Sequence, residues 1–207
     1  MSTARASFLY DLGSPYAYLA AERVNSVFVT AGAEAPEWQP VLLGGLFKHF
    51  GRSSWAEGRG REDGIAECER RGAAYGLPPF RWPEPWPGNT LIAMRAATFA
   101  KEIGRAVSFS LAAFRQAFAA GRDLSVPDNV LIAAAACELH PRAVLKGIES
   151  RSVRERLSVA TEEAATRGVR RVPTVRLGTR LFEGEQRVED AARAAAEGQA
   201  CADQPLE

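Results

Sequence analysis

An apolar run at Phe8-Leu9-Tyr10 stops at Asp11 and Gly13, and the apolar positions that follow, Ala20, Val24, Val27, Phe28 and Ala31, recur at helical spacing. The pattern predicts a strand over Phe8–Asp11 and one helix over Pro15–Thr30. Ser14 suits its N-cap, Pro15 suits N1, where a missing N–H costs nothing, and Gly32 closes its end. Glu37 to Leu43 reads as a second strand, in which Pro40 suits an edge or a bulge. From Gly44 to Arg61 glycine, serine and charge replace the periodicity, which predicts an exposed loop around a short helical piece. A charged helix follows over Glu62–Tyr75, ended by Gly76. Leu77 to Asn89 holds five prolines and two tryptophans and cannot be regular helix.

Stretches rich in alanine, leucine and arginine then predict helices over Thr90–Ile103, Ser108–Ala120, Pro127–Cys137, Pro141–Ile148 and Ser152–Arg167. A period of two returns at Val172–Leu177, and Gly178-Thr179 turns it into Arg180–Phe182 as a hairpin. Gly184 breaks that strand, a last helix covers Val188–Glu197, and the tail after Gly198 is expected to fray. The order β-α-β, helical block, β-β-α is that of one α/β unit carrying an insertion rather than of two independent domains.

Charge narrows the partners. The 207 residues carry 26 Lys+Arg against 25 Asp+Glu, a net charge of +1. Without a long basic run, nucleic acid is not an expected partner. No apolar stretch is long enough to span a bilayer, so no membrane association is expected. The first residues show no signal-peptide apolar region, which makes a cytoplasmic location the expectation. Cys68, Cys137 and Cys201 form no Cys-x-x-Cys pair, and with two histidines there is no metal-ligand spacing. All three read as structural or incidental rather than catalytic, since a reactive thiolate needs an electropositive setting.

Three places could carry chemistry. The strand-to-helix junction at Ser14 suits an anion, although a serine there also serves simply as a cap. Val172-Pro173-Thr174 opens the third strand; a cis bond there would free the Val172 backbone for main-chain pairing with a peptide-like ligand, while a trans proline would merely start the strand. At the second junction, Glu185 and Gln186 either cap the last helix or take the ammonium end of a small zwitterion. Lys48 could bind a substrate carboxylate, and His49 beside it could shuttle protons, though an exposed histidine without a partner needs neither role. Asp11 fits a brace for the loop backbone better than a base. His140, before Pro141, reads as a helix boundary, and Arg70-Arg71 and Arg170-Arg171 read as solvated or ion-paired. Phe80, Trp82 and Trp86 either wall an aromatic pocket or pack against prolines.

Several segments occur in order: Ser14-Pro15-Tyr16-Ala17-Tyr18-Leu19-Ala20 after a strand, Leu42-Leu43-Gly44-Gly45-Leu46-Phe47-Lys48, and Trp86-Pro87-Gly88-Asn89-Thr90 before a helix. Gly168-Val169-Arg170-Arg171-Val172-Pro173-Thr174 and the junction at Gly184 complete the set. Together they resemble the 2-hydroxychromene-2-carboxylate isomerase family, related to kappa-class glutathione transferases and to disulfide-oxidoreductase thioredoxin folds. The resemblance implies an α/β thioredoxin fold with an inserted all-helical domain, residues 1–43 and 168–207 forming the thioredoxin part and 44–167 the insertion. It implies glutathione, or another low-molecular-weight thiol, as cofactor and a small aromatic molecule as substrate. Ser14 then matches the serine whose hydroxyl holds the cofactor sulfur as thiolate. Val172, before Pro173, matches the residue whose backbone pairs with the cysteinyl part. Glu185 and Gln186 stand where relatives carry a small polar residue and an aspartate that grip the γ-glutamyl group. Arg52 stands where relatives have asparagine, and Arg59 or Arg61 near a lysine. These departures leave open which thiol is used. Such relatives are commonly dimers, so the resemblance, though not the residue pattern, implies a homodimer. A kappa-like glutathione transferase and a non-catalytic peptide-binding module are the alternative functions.

Overall fold

The computed structural model describes residues 5–202. Four strands form one sheet in the order β2-β1-β3-β4: β1 (Ser7–Tyr10), β2 (Glu37–Pro40), β3 (Thr174–Leu177) and β4 (Arg180–Glu183). β1 runs parallel to β2 and antiparallel to β3, and β3–β4 is the expected hairpin, with Leu177 opposite Arg180 across the two-residue turn. β2 is an edge strand, which is where its proline costs no ladder bond. This is the α/β thioredoxin arrangement with a large helical addition between β2 and β3.

Among the described residues ten α-helices surround the sheet: α1 (Pro15–Ala21), α2 (Val24–Thr30), α3 (Leu43–Phe50), α4 (Arg61–Ala74), α5 (Leu91–Glu102), α6 (Ala106–Phe118), α7 (Pro127–Ala135), α8 (Pro141–Glu149), α9 (Arg151–Thr166) and α10 (Val188–Ala202). One sheet face presents Phe8, Tyr10, Trp38, Val175 and Phe182 to the main core. Phe114 and Phe109 of α6 belong to that core, and Tyr10 reaches Ser110 of α6 by a buried hydrogen bond of 2.6 Å. Each fully buried ring here is worth roughly 2–3 kcal/mol in apolar area. On the opposite face Leu9 joins Val41, Leu46 of α3, Ala164 and Ala165 of α9, Val169 and Val172 in a smaller cluster.

Three expectations change. The helix over 15–30 is two helices, because Arg23 leaves helical geometry at φ −130° and its guanidinium pairs with Glu189 of α10 at 2.6 Å. The loop expected from Gly44 begins as α3. Its glycines serve packing: a Cβ at Gly45 would meet Thr161 Cγ2 of α9 at 2.7 Å, and Gly51 caps the helix in the left-handed region at φ 61°. The frayed tail is helical to Ala202, although the Cys201 side chain lies outside the part described. Among the described residues, no helix is long and apolar enough to cross a membrane.

Candidate functional site

Four connections meet where the parallel strands β1 and β2 end: the loop after β1, the entry to α3, the residue before α5 and the segment before β3. The C-terminal rim of such strands is the usual ligand crevice of α/β sheets. Asp11 ties three of these connections together. One carboxylate oxygen accepts from the Gly13 amide at 2.8 Å and the Thr90 hydroxyl at 2.9 Å, and the other from the Leu43 amide at 2.8 Å. Asp11 is 4% exposed, and burial raises its pKa against the opposing pull of those three bonds. It is a brace, as the sequence suggests.

Ser14 caps α1 from extended geometry, its hydroxyl accepting from the Ala17 amide at 3.2 Å. The same hydroxyl donates to the Val172 carbonyl over a long 3.4 Å. The Val172–Pro173 peptide bond is cis, as are Glu84–Pro85 and Trp86–Pro87. The junction after β1 and the segment before β3 therefore meet at one hydroxyl, although 158 residues separate them.

A cavity of about 440 Å³ opens above Ser14. Phe47, Trp55 and Trp86 give it aromatic walls, and Lys48, Arg52 and Glu57 bring charge to its lining. Trp86 packs 5.4 Å from Trp55 and 4.5 Å from Trp82; of the three aromatic residues singled out in the sequence Trp86 alone lines the cavity, while Trp82 stacks on Phe80 at 5.2 Å. Among the described residues, Lys48, Arg52 and Glu57 form no ion pair. Arg52 leans on the Arg170 carbonyl at 3.5 Å.

The other candidates lie elsewhere. Arg61 donates to the Trp86 carbonyl at 2.5 Å and the Ala56 carbonyl at 3.3 Å, and its guanidinium sits 5.3 Å from the Trp86 ring. It holds the proline-rich segment rather than facing the cavity. Glu185 is 2% exposed; Arg71 binds one of its oxygens and the Tyr75 hydroxyl the other, at 2.7 Å. Gln186 is exposed, with its amide oxygen turned to the same Arg71. His49 packs on Phe50 at 4.8 Å, and His140 caps α8 by accepting from the Arg142 amide.

Sequence reasoning missed Trp55, Phe47, Thr90, Arg71 and Tyr75 as participants. Arg71 had one local signal, Glu67 four positions earlier, and the two do pair at 2.5 Å. Its second partner comes from the other end of the chain. Behind the cavity wall Tyr16 packs 5.9 Å from Trp55, with Arg71 6.0 Å from the Tyr16 ring.

Cys68 is fully buried in α4 beside Tyr16, and burial pushes its thiol up to about 12 against the pull of a hydrogen bond with Tyr16. Iodoacetamide at about pH 8 should therefore label native Cys68 roughly a thousandfold more slowly than the unfolded chain. Mass-spectrometric mapping of the labelled peptide reads this directly, and equal rates would contradict the burial.

Asp11 gives a pH signature. With its folded pKa raised, its contribution to stability is fully present below the unfolded carboxyl pKa and is lost as pH rises through the folded one. Denaturant titrations from about pH 3 to pH 7 should show the wild type losing ground against Asp11→Asn as pH rises. Parallel curves would remove the effect.

The sequence pattern of the DSBA-like thioredoxin domain family matches residues 6–196. Comparison with curated proteins gives no match. Among solved structures, a 2-hydroxychromene-2-carboxylate isomerase superposes with a TM-score of 0.81 at 20% identity, over 95% of this chain and 95% of that one. A probable DsbA oxidoreductase from Streptomyces coelicolor gives 0.73 at 20% identity, over 99% and 93%. A candidate protein disulfide isomerase from Nitrosomonas europaea gives 0.74 at 14% identity, over 98% and 100%. At these identities the likeness is one of fold.

Proposed function

The chain belongs to the DSBA-like thioredoxin domain family, and from that premise we propose that it is a thiol-dependent isomerase of the 2-hydroxychromene-2-carboxylate isomerase type. The observation that carries the reading is the Ser14 hydroxyl under an aromatic, cation-bearing cavity, with its own outgoing bond stretched to 3.4 Å. A bond that long is weak and readily given up to a better acceptor. Ser14 can turn its proton to a ligand sulfur while still accepting from the Ala17 amide, so the helix cap survives. Hydrogen bonding to the charged form is what favours a thiolate at neutral pH.

The residues present fit a thiol that carries a carboxylate: Ser14 for the sulfur and Arg52 for an anionic end. When bound, glutathione or a similar thiol supplies a nucleophilic sulfur that adds to the unsaturated ring system and is later eliminated. The protein's part is orientation. Trp55, Trp86 and Phe47 offer flat faces to an aromatic substrate, and Lys48 offers a cation to its carboxylate. Dithiol exchange fits less well, because neither Cys68 nor Cys137 lines the cavity.

Incubation with 2-hydroxychromene-2-carboxylate and glutathione tests the reading. Isomerised product with no glutathione adduct supports it. A stable adduct formed with an electrophile instead would make the chain a kappa-like glutathione transferase. Calorimetric heat from an extended peptide alone would make it a binding module.

A further inference from the structure

Both indoles of the cavity wall sit on segments that the sheet does not hold: Trp55 on the short turn Trp55–Glu57 and Trp86 in the proline-rich stretch. Trp86 is fixed by its surroundings. Its indole N–H donates to the Gly13 carbonyl at 3.4 Å, its ring packs 4.5 Å from Trp82, and its carbonyl accepts from Arg61 at 2.5 Å. The same guanidinium donates to the Ala56 carbonyl at 3.3 Å, so the opening residue of α4 ties the two tryptophan-bearing segments to each other.

One turn further along α4, Gly64 meets Trp55 itself. A Cβ at Gly64 would overlap Cε3 and Cζ3 of the Trp55 indole and lie 2.7 Å from its Cη2. The six-membered ring of the indole therefore lies on bare helix backbone, closer than a residue with a side chain allows. Tyr16 packs 5.9 Å from Trp55 edge-on, and Trp86 packs 5.4 Å from it. With α4, Tyr16 and Trp86 against it, the space left to a displaced indole is the cavity it lines. Gly64 serves no turn: it lies inside α4, and its amide donates to the Gly60 carbonyl at 3.0 Å. Helix propensity alone would favour alanine there. The indole is what excludes it.

We propose that Gly64 is a specificity-determining residue of this site: by seating Trp55 against α4 it keeps the cavity open to a flat ring, and the site then prefers flat aromatic acids to puckered ones of the same carbon skeleton. Gly64 does not line the cavity and acts through Trp55, as a positioning residue. The inference rests on the aromatic-substrate part of the reading above and deepens it by naming the residue that sets the shape of the wall.

The geometry dictates the variants. Trp55→Phe shortens the ring system that covers position 64, so a methyl group added there gains room. Gly64→Ala and Trp55→Phe should therefore be coupled, and a double-mutant cycle reads the coupling. Thermal unfolding tests the seat without any ligand. Gly64→Ala should raise the melting temperature by about 2–4 °C in the Trp55→Phe background, the gain that helix propensity gives a chain of this size, and should lower it in the wild type. An equal rise in both backgrounds overturns the inference.

Calorimetry on the intact protein tests the selection with two probes, 2-naphthoate and its saturated counterpart decahydro-2-naphthoate. The wild type should bind the flat acid at least about fivefold more tightly than the puckered one. Gly64→Ala should weaken 2-naphthoate about tenfold and bring the two probes within about twofold of each other. In the Trp55→Phe background the same substitution should change 2-naphthoate affinity by less than about twofold. No preference in the wild type, or a preference that survives Gly64→Ala, overturns the inference. A preference for 2-naphthoate in a protein that fails to isomerise 2-hydroxychromene-2-carboxylate would defeat the isomerase reading and leave the role of Gly64 standing.

Discussion

Replacing Ser14 with alanine should lower turnover about 100-fold while leaving substrate affinity within a few fold, if one directed hydrogen bond to the sulfur carries the chemistry. The variant also loses a helix cap, which costs about 1 kcal/mol and moves the melting temperature by only a few degrees in a chain of this size. The two losses separate experimentally: calorimetric melting reads the cap and steady-state rates read the sulfur contact. Ser14→Thr keeps a hydroxyl and should recover part of the rate. Unchanged turnover in the alanine variant would reduce Ser14 to a cap.

The largest stability effect should come from Arg71. Its side chain is 19% exposed and that of Glu185 1%, so Arg71→Ala strands a buried carboxylate with only the Tyr75 hydroxyl for company. Stranding one member of a buried pair costs about 3 kcal/mol or more. The lower end applies because a fifth of Arg71 already faces water. Glu185→Leu removes the other member and should cost clearly less, since Arg71 keeps Glu67 and a route to solvent. Chemical denaturation of both variants checks the asymmetry. Equal losses, or a greater loss for Glu185→Leu, would show that the pair is not the anchor of this corner.

Much of the fold was legible because its signals are local. Ser14-Pro15 announces a helix start whatever surrounds it, since cap chemistry involves only the next turn. Gly178-Thr179 forces a tight hairpin, and Pro40 belongs on an edge because it cannot donate to a ladder. The kink at Arg23 was not legible: an apolar period of 3.6 runs through it unbroken, and the partner that draws Arg23 away, Glu189, is 166 residues on. Helix α3 was hidden for a related reason. Gly44 and Gly45 lower its intrinsic propensity, and only its close approach to Thr161 of α9 shows why one of those glycines is useful there.

The candidate site divides in the same way. Ser14, Asp11 and Lys48 could be singled out from their own neighbourhoods. The allegiance of Arg61 to the Trp86 carbonyl and that of Glu185 to Arg71 could not, because both residues look free until a distant segment arrives. The proline-marked starts of α1, α7 and α8, the β3–β4 turn and the edge strand were determined by the order of residues alone, since each depends on backbone chemistry within a few positions. Which charges remain available to a ligand was decided only by the tertiary structure, because a charge is spent or spared by the partner that folding brings to it.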